Sequence, residues 1–196
     1  MSWTHRAARR TAYVFLAAGL LALGYAAYVV VDAKAYQAIE QHRFEQARAD
    51  PARQAVVRAP APVDGDPIGE IQIPRLGLTV IVAQGDSAAI LRRAIGHLAG
   101  TALPGEPGNV VLAGHRDTFF RPLRRIRAGD AIVLKTRHGD FEYLVESTAV
   151  VSPSDVQVLQ PTGRRMLTLI TCFPFSYIGA APDRFIVRAR ETAWPQ

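Results

Sequence analysis

Residues 166–175 read MLTLITCFPF, an apolar run rich in Leu, Ile and Thr that carries Cys172, the only cysteine among 196 residues. A short run of this composition, closed by Pro174, is typical of a buried β-strand that ends in a turn. We therefore expect Cys172 to lie at a strand end. A lone cysteine cannot form an internal disulfide and cannot by itself supply a structural zinc site. It is either a small buried apolar residue or a reactive thiol.

Short apolar segments, separated by glycine, proline and charged residues, surround this run from residue 67 onwards. About eight short strands with turn signals between them predict an all-β domain, either a closed antiparallel barrel or a sandwich. One short helix, at 87–95, is expected to interrupt the strands. The predicted strands are 69–73, 78–82, 109–113, 131–136, 140–145, 149–152, 166–171 and 184–190.

The chain begins with a basic segment and continues with an apolar one. Arg6, Arg9 and Arg10 precede the 20 residues 12–31, which carry no charge. At a rise of about 1.5 Å per residue, this length spans a bilayer core and predicts one transmembrane helix. The alternative is a cleaved signal peptide, whose apolar core is normally only about 7 to 15 residues long. The arginines predict a cytoplasmic N-terminus and an exported domain.

The composition changes again after the apolar segment. Apolar residues fall loosely at helical spacing between positions 36 and 47, so we expect the membrane helix to continue as a stalk. Four prolines between positions 51 and 67 then predict an extended linker that holds the domain away from the membrane. The predicted divisions are a cytoplasmic N-terminus at 1–11, a transmembrane anchor at 12–31, a stalk and linker at 32–66 and a folded domain at 67–192.

The charge of the chain gives no indication of a nucleic-acid partner. The formal net charge is +6, and the three arginines before the anchor supply half of it. The part after the anchor holds 20 basic and 17 acidic residues. This surplus is too small for an electrostatic footprint on nucleic acid, so no nucleic acid is expected to bind.

Two other predicted strand ends offer partners for the Cys172 thiol. His115 follows the strand 109–113. Arg184 begins the last strand, and a loop of eleven residues separates it from Cys172. A cysteine nucleophile acts as its thiolate, which a neighbouring imidazole stabilises near neutral pH. Acyl transfer also needs positive charge or N–H donors where the oxyanion develops. If the two strands pair, Cys172 and Arg184 emerge at the same end of the barrel.

These residues also have simpler interpretations. Arg184 could belong to a basic strand face in water, and His115 could be oriented by Asp117 in a Cys-His-Asp arrangement that leaves Arg184 out. His97 is interpreted as a packing or supporting residue and His138 as a turn residue. Spacing alone does not choose between these alternatives.

Several segments of the chain follow one another in a recognisable order. They are AIGH at 94–97, TALPGEPGN at 101–109, LAGHRD at 112–117, TLITC at 168–172, and a tail from PF at 174–175 to RFIV at 184–187. This series resembles the sortase family of membrane-anchored cysteine transpeptidases, and the tail looks most like the class D group. The likeness covers roughly residues 68–189.

The resemblance implies an eight-stranded sortase-type β-barrel and a role for each site residue. It implies Cys172 as nucleophile, His115 as general acid/base, and Arg184 as the group that stabilises the oxyanion or holds the substrate. Thr171 matches a position that helps to bind substrate or the oxyanion. The implied substrate is an exported protein with an LPxTG-like motif near its C-terminus, which an amine then takes from a thioacyl enzyme. Residues 154–165 are expected to form the specificity loop.

The resemblance also sets expectations for location and cofactors. We expect a single-pass protein of the bacterial cell membrane, with residues 67–192 as a catalytic domain on the extracytoplasmic side. No cofactor is expected, because no acidic cluster in the sequence demands calcium. Three alternatives stay open: a cysteine hydrolase on the same barrel, a membrane-tethered module that binds peptide tails without chemistry, and a metal site at Cys172 and His115.

Overall fold

A long N-terminal helix precedes a closed barrel in the computed structural model, which describes residues 2–49, 61–160, 163–177 and 179–193. Among these residues the helix is α1 (Ser2–Ala49), and eight strands close the barrel. The predicted all-β barrel is therefore confirmed. The strands are β1 (Pro67–Ile73), β2 (Leu78–Gln84), β3 (Ile95–His97), β4 (Asn109–Ala113), β5 (Ala131–Thr136), β6 (Gly139–Val151), β7 (Met166–Phe173) and β8 (Asp183–Ala193).

The strands close the barrel in the order β1-β2-β3-β4-β7-β8-β6-β5. Most neighbours are antiparallel, but β2 pairs with β3 and β4 pairs with β7 in parallel. A purely antiparallel barrel was thus the wrong expectation. Parallel neighbours need a crossover connection, which the one-turn helix α2 (Ala88–Leu91) supplies between β2 and β3. The β5–β6 hairpin lies in the crossover between β4 and β7.

The interior is filled by alternate side chains of each strand. Leu167 and Leu169 of β7 and Val187 and Ala189 of β8 are fully buried in one apolar cluster with Leu112 of β4. Successive side chains of a strand point to opposite faces, so the residues between them face outwards. The last two strands therefore contribute one face to the core and the other to the outer surface of the barrel.

Two predicted elements differ from the structure. The strands predicted at 140–145 and 149–152 are one strand, β6, whose register against β8 shifts between Val145 and Ser147. The extra residue breaks the alternation of apolar side chains, which made one strand resemble two. The helix predicted at 87–95 is the single turn α2, and Ile95 already belongs to β3. A strand of three residues is too short to show a period in the sequence.

The first part of α1 has the properties of a membrane anchor. Its large apolar side chains, such as Phe15 and Leu21, are exposed. The helix contains an 18-residue window with a mean hydropathy of 2.2 and is long and apolar enough to cross a membrane. This fits the anchor predicted at 12–31.

The second part of α1 packs on the outer face of β1 and β2. Phe44 is buried, and the Gln37 side chain accepts from the Ile81 N–H at 2.9 Å and donates to the Arg93 carbonyl at 2.6 Å. Asp32, directly after the predicted anchor, forms an ion pair with Arg93. The predicted stalk is therefore a helix in contact with the barrel. Residues 50–60 of the predicted linker lie outside the described residues.

Candidate active site

Cys172 lies on β7, one residue before its end. Leu169 and Thr171 are buried towards the interior, so the alternation of the strand turns Ile170 and Cys172 to the outer face. The thiol is half-buried. Its position confirms the expected strand end.

Arg184 lies directly opposite Cys172 in the antiparallel pair of β7 and β8. Opposed residues of such a pair point to the same face, with Cβ atoms about 5 Å apart. The Arg184 Nη1 group donates to the carbonyls of Ala181 at 3.3 Å and Asp183 at 3.0 Å. These bonds hold the guanidinium at the start of β8. The two strands pair, and Cys172 and Arg184 therefore emerge at the same end of the barrel.

His115 follows β4, which runs parallel to β7. The last residue pair of this register is Ala113 with Ile170, and the Gly114 N–H donates to the Ile170 carbonyl at 3.1 Å. Two residues further along each chain, His115 is level with Cys172. Its side chain is exposed. The ends of β4 and β7 and the start of β8 thus bring His115, Cys172 and Arg184 to one end of the barrel.

Thr171 differs from these three residues because its side chain points into the barrel. It is buried, and its hydroxyl donates to the Gly114 carbonyl at 2.7 Å. The hydroxyl therefore joins β7 to the residue directly before His115. Asp117, the alternative partner of His115, lies at the surface with its carboxylate 3.5 Å from Nε of Arg116.

His97 is a supporting residue, as the sequence predicted. It is 1% exposed on β3, and its Nε2 donates to the Ala102 carbonyl at 2.9 Å, while its Nδ1 lies 2.8 Å from the Gln84 side-chain amide. Burial holds the pKa of His97 below its ordinary value. His138 lies in the turn between β5 and β6, where its N–H donates to the Thr136 hydroxyl at 3.0 Å.

Three aromatic rings beside the site were missed in the sequence. Phe173, Phe175 and Phe185 are half-buried, with ring centroids 5.3 to 6.2 Å apart in stacked and edge-on contacts. Phe175 and Phe185 pack against the apolar core, and Phe173 contacts both rings, so the three give this end of the barrel an apolar wall. The sequence could have indicated these rings, because Phe173 directly follows Cys172 and Phe185 directly follows Arg184.

A buried polar cluster on the outer face was also missed. Asn109 donates from Nδ2 to the carbonyls of Val158 at 3.2 Å and Leu159 at 3.4 Å, and it accepts from the Thr168 hydroxyl at 2.8 Å. The Arg188 guanidinium lies 3.5 Å from the same Val158 carbonyl. These bonds hold the 3-10 turn Val156–Leu159 of the predicted specificity loop against β4, β7 and β8. In the sequence, this cluster was indicated by a polar residue within each of two apolar strands, Asn109 in β4 and Thr168 in β7.

No group of three or more His, Cys, Asp or Glu side chains within the described part of the chain could hold a metal ion. The site geometry consists of a thiol, an imidazole and a guanidinium on adjacent strand ends. Such a set can form a nucleophile, shuttle a proton and stabilise a negative charge.

Comparisons with known proteins identify the family of the chain. Residues 71–192 match the family model described as the Sortase domain. The chain is 31% identical to sortase D of Bacillus subtilis, over 88% of this chain and 92% of the relative. It is 32% identical to sortase SrtE1 of Streptomyces coelicolor over 86% of this chain, but spans only 53% of that relative.

The fold is also similar to solved structures. A Clostridium perfringens sortase D5 transpeptidase superimposes with a TM-score of 0.71 and 29% identity, over 82% of this chain and 98% of that chain. The similarity to sortase D proteins agrees with the resemblance to class D noted in the tail after Cys172. The chain belongs to the sortase family of cysteine transpeptidases.

Proposed function

We propose that this protein cleaves an LPxTG-like sorting motif of exported proteins and transfers the acyl group to an amine at the cell surface. The observation that supports this most is the cross-strand pair of Cys172 and Arg184, with His115 at the end of the adjacent parallel strand. Three separate strand ends deliver the groups that a thiol acyl transfer needs. Family membership supports a protein substrate with a sorting motif.

In the first step the Cys172 thiolate attacks the carbonyl carbon of the motif threonine. The peptide C–N bond breaks, a thioester forms, and His115 gives its proton to the leaving amine. In the second step an incoming amine attacks the thioester, His115 takes a proton from it, and the thiolate leaves. A transpeptidase must hold the amine so that it reacts before water does.

Arg184 is proposed to stabilise the oxyanion of each step or to hold the substrate backbone. Its guanidinium is fixed by two carbonyls at the start of β8, on the same face as the thiol. A fixed positive charge at a developing oxyanion stabilises the transition state without reorganisation. The Thr171 hydroxyl already donates to Gly114, so Thr171 would contribute to substrate binding through its backbone.

The motif would bind along the outer face of β7 and β8, beside the anchored turn Val156–Leu159. Val156 is exposed on this turn and can contact the apolar residues of a motif. Asn109 and Thr168 hold the turn in place from below.

The proposed location follows from α1. With Arg6, Arg9 and Arg10 before the apolar segment, the N-terminus would stay in the cytoplasm and the barrel would lie on the extracytoplasmic side of the bacterial membrane. The site would then lie where exported proteins emerge.

The test is Cys172→Ala in the full chain, held in detergent micelles with an LPxTG peptide and triglycine. We expect acyl transfer to fall by about 10⁴-fold or more, because the nucleophile is lost, while the circular dichroism of the barrel is retained. Ser176→Ala, at an exposed position of the same segment, is the control and should keep wild-type activity.

Two results would contradict the proposal. Hydrolysis without transfer, across many amines, would make the protein a cysteine hydrolase. Peptide binding that is equal in wild type and Cys172→Ala, with no product from either, would make it a binding module.

A further inference from the structure

Arg116 is buried between the loop of His115 and the segment that follows Cys172. Its side chain is only 6% exposed, although His115 before it and Asp117 after it are exposed. Arginine is rarely buried this far unless its donors are satisfied. The burial of a guanidinium directly after His115 therefore needs a physical explanation.

The Arg116 guanidinium donates to three backbone carbonyls of one segment. Nη1 bonds to Pro174 at 3.1 Å, and Nη2 bonds to Tyr177 at 2.6 Å and to Gly179 at 3.1 Å. The Arg116 Cζ atom also lies 5.9 Å from the centroid of the Tyr177 ring, within cation–π range. All three acceptors belong to the connection between β7 and β8.

Ionic pairing does not account for this burial. The carboxylate of Asp117 lies 3.5 Å from Nε, and its side chain is 70% exposed, which leaves it largely screened by water. Nε itself makes no hydrogen bond within the described part of the chain. The positive charge is therefore stabilised mainly by carbonyl dipoles. The guanidinium in turn fixes where those three carbonyls lie.

The contacts of Arg116 begin where the backbone pairing of β4 with β7 ends. The last backbone bond runs from Gly114 to Ile170, and the Thr171 hydroxyl bonds to Gly114. Beyond Gly114, Arg116 connects the loop of His115 to the chain that runs from Cys172 towards β8.

We propose that Arg116 is a positioning residue of the reaction, which keeps His115 in register with Cys172 and Arg184. This inference rests on the proposed function of those three residues. A guanidinium suits this task because its planar fork holds several donors in fixed directions, so that one side chain can fix three carbonyls at once. A lysine ammonium is a point charge on a flexible stem and cannot reproduce that geometry.

The experiment uses Cys172 as its own reporter, because the chain has no other cysteine. The full chain in detergent micelles is alkylated with iodoacetamide between about pH 5 and 9, and the rate reports the thiolate at each pH. Turnover of an LPxTG peptide with triglycine is measured on the same samples. Wild type is compared with His115→Ala, Arg116→Met, Arg116→Lys and the control Arg124→Met, whose arginine is exposed.

Arg116→Met keeps the apolar stem but removes every donor. We expect kcat to fall about 100-fold with KM changed much less, because a misplacement of about 1 Å has this effect on a proton transfer. The alkylation profile should move towards that of His115→Ala. Arg116→Lys should lose about 10-fold in kcat, since it can reach only part of the carbonyl set. Arg124→Met should match wild type in both measurements.

The outcomes separate this inference from the proposed function. A wild-type alkylation profile and kcat in folded Arg116→Met would overturn the positioning role, and so would failure of both Arg116 variants to fold, which would make the residue purely structural. If wild type and His115→Ala share one alkylation profile and no peptide turns over, the proposed function itself fails.

Discussion

Two regions of the outer surface of the barrel differ in what covers them: the face of β1 and β2, and the face of β4, β7 and β8. On β2, Ile81 points away from the interior, yet it is buried where α1 packs against this strand. At the other face, β4, β7 and β8 leave Cys172 half-buried and His115 exposed. The same alternation of side chains thus produces an apolar docking face on one side and an open, chemically active face on the other.

The difference lies in what completes each face. The covered face is apolar at its centre, and helix side chains satisfy its polar groups: Gln37 bonds to Ile81 and Arg93, and Gln41 donates to the buried Glu70 at 3.2 Å. The open face is completed only in part by the turn Val156–Leu159. A strand face left partly uncovered by its own chain is available for a peptide.

The largest expected effect concerns the covered face. Phe44 of α1 is 4% exposed against the barrel, so Phe44→Ala should lower the free energy of unfolding by about 3 kcal/mol, because it removes a buried ring and leaves a cavity. Ile39→Ala, on the same helix but 51% exposed, is the control and should change stability little. Urea unfolding of the full chain in micelles measures both. Equal effects of the two variants would show that α1 is not packed on the barrel.

The next effect concerns the open face. Asn109→Ala removes the bonds to the Val158 and Leu159 carbonyls and the acceptor of the Thr168 hydroxyl, so it should lower the free energy of unfolding by about 2 kcal/mol. It should also raise KM for an LPxTG peptide and speed amide exchange in the turn Val156–Leu159. Gln157→Ala, exposed on that turn, is the control. Unchanged exchange in Asn109→Ala would mean that other contacts hold the turn.

The smallest effect concerns β3, the strand between the two faces. Burial lowers the pKa of His97. The folded protein therefore binds a proton at this imidazole less readily than the unfolded chain, in which the histidine has its ordinary pKa of about 6.5. The His97 contribution to stability is therefore complete above that pH and is lost as pH falls below it, by at most about 1.4 kcal/mol per pH unit.

Unfolding curves of His97→Gln measured between about pH 5 and 8 check this prediction. The variant should show a flatter fall in stability below pH about 6.5 than wild type. His138→Gln, at an exposed turn position, is the control and should keep the wild-type slope. A wild-type slope in His97→Gln would contradict the prediction.

Much of the site could be read from the sequence because strand periodicity is local. The burial pattern of β7 and β8 follows the alternation that their sequence shows, with Leu167, Leu169, Val187 and Ala189 in the core. The apolar length of residues 12–31 predicted a helix able to cross a membrane. Cys172, His115 and Arg184 could be proposed as site residues because each stands where a predicted strand begins or ends.

Only the tertiary structure decided the remaining features, and each depends on contacts between distant residues. The parallel pairing of β4 with β7 joins segments separated by a whole hairpin, and no local pattern encodes that partner. Arg116 resembles any surface arginine in the sequence, because its burial is created by carbonyls more than 50 residues later. The covering of Ile81 by α1 has the same cause. Periodicity is a property of neighbouring residues, whereas strand order, coverage and burial are properties of the folded chain.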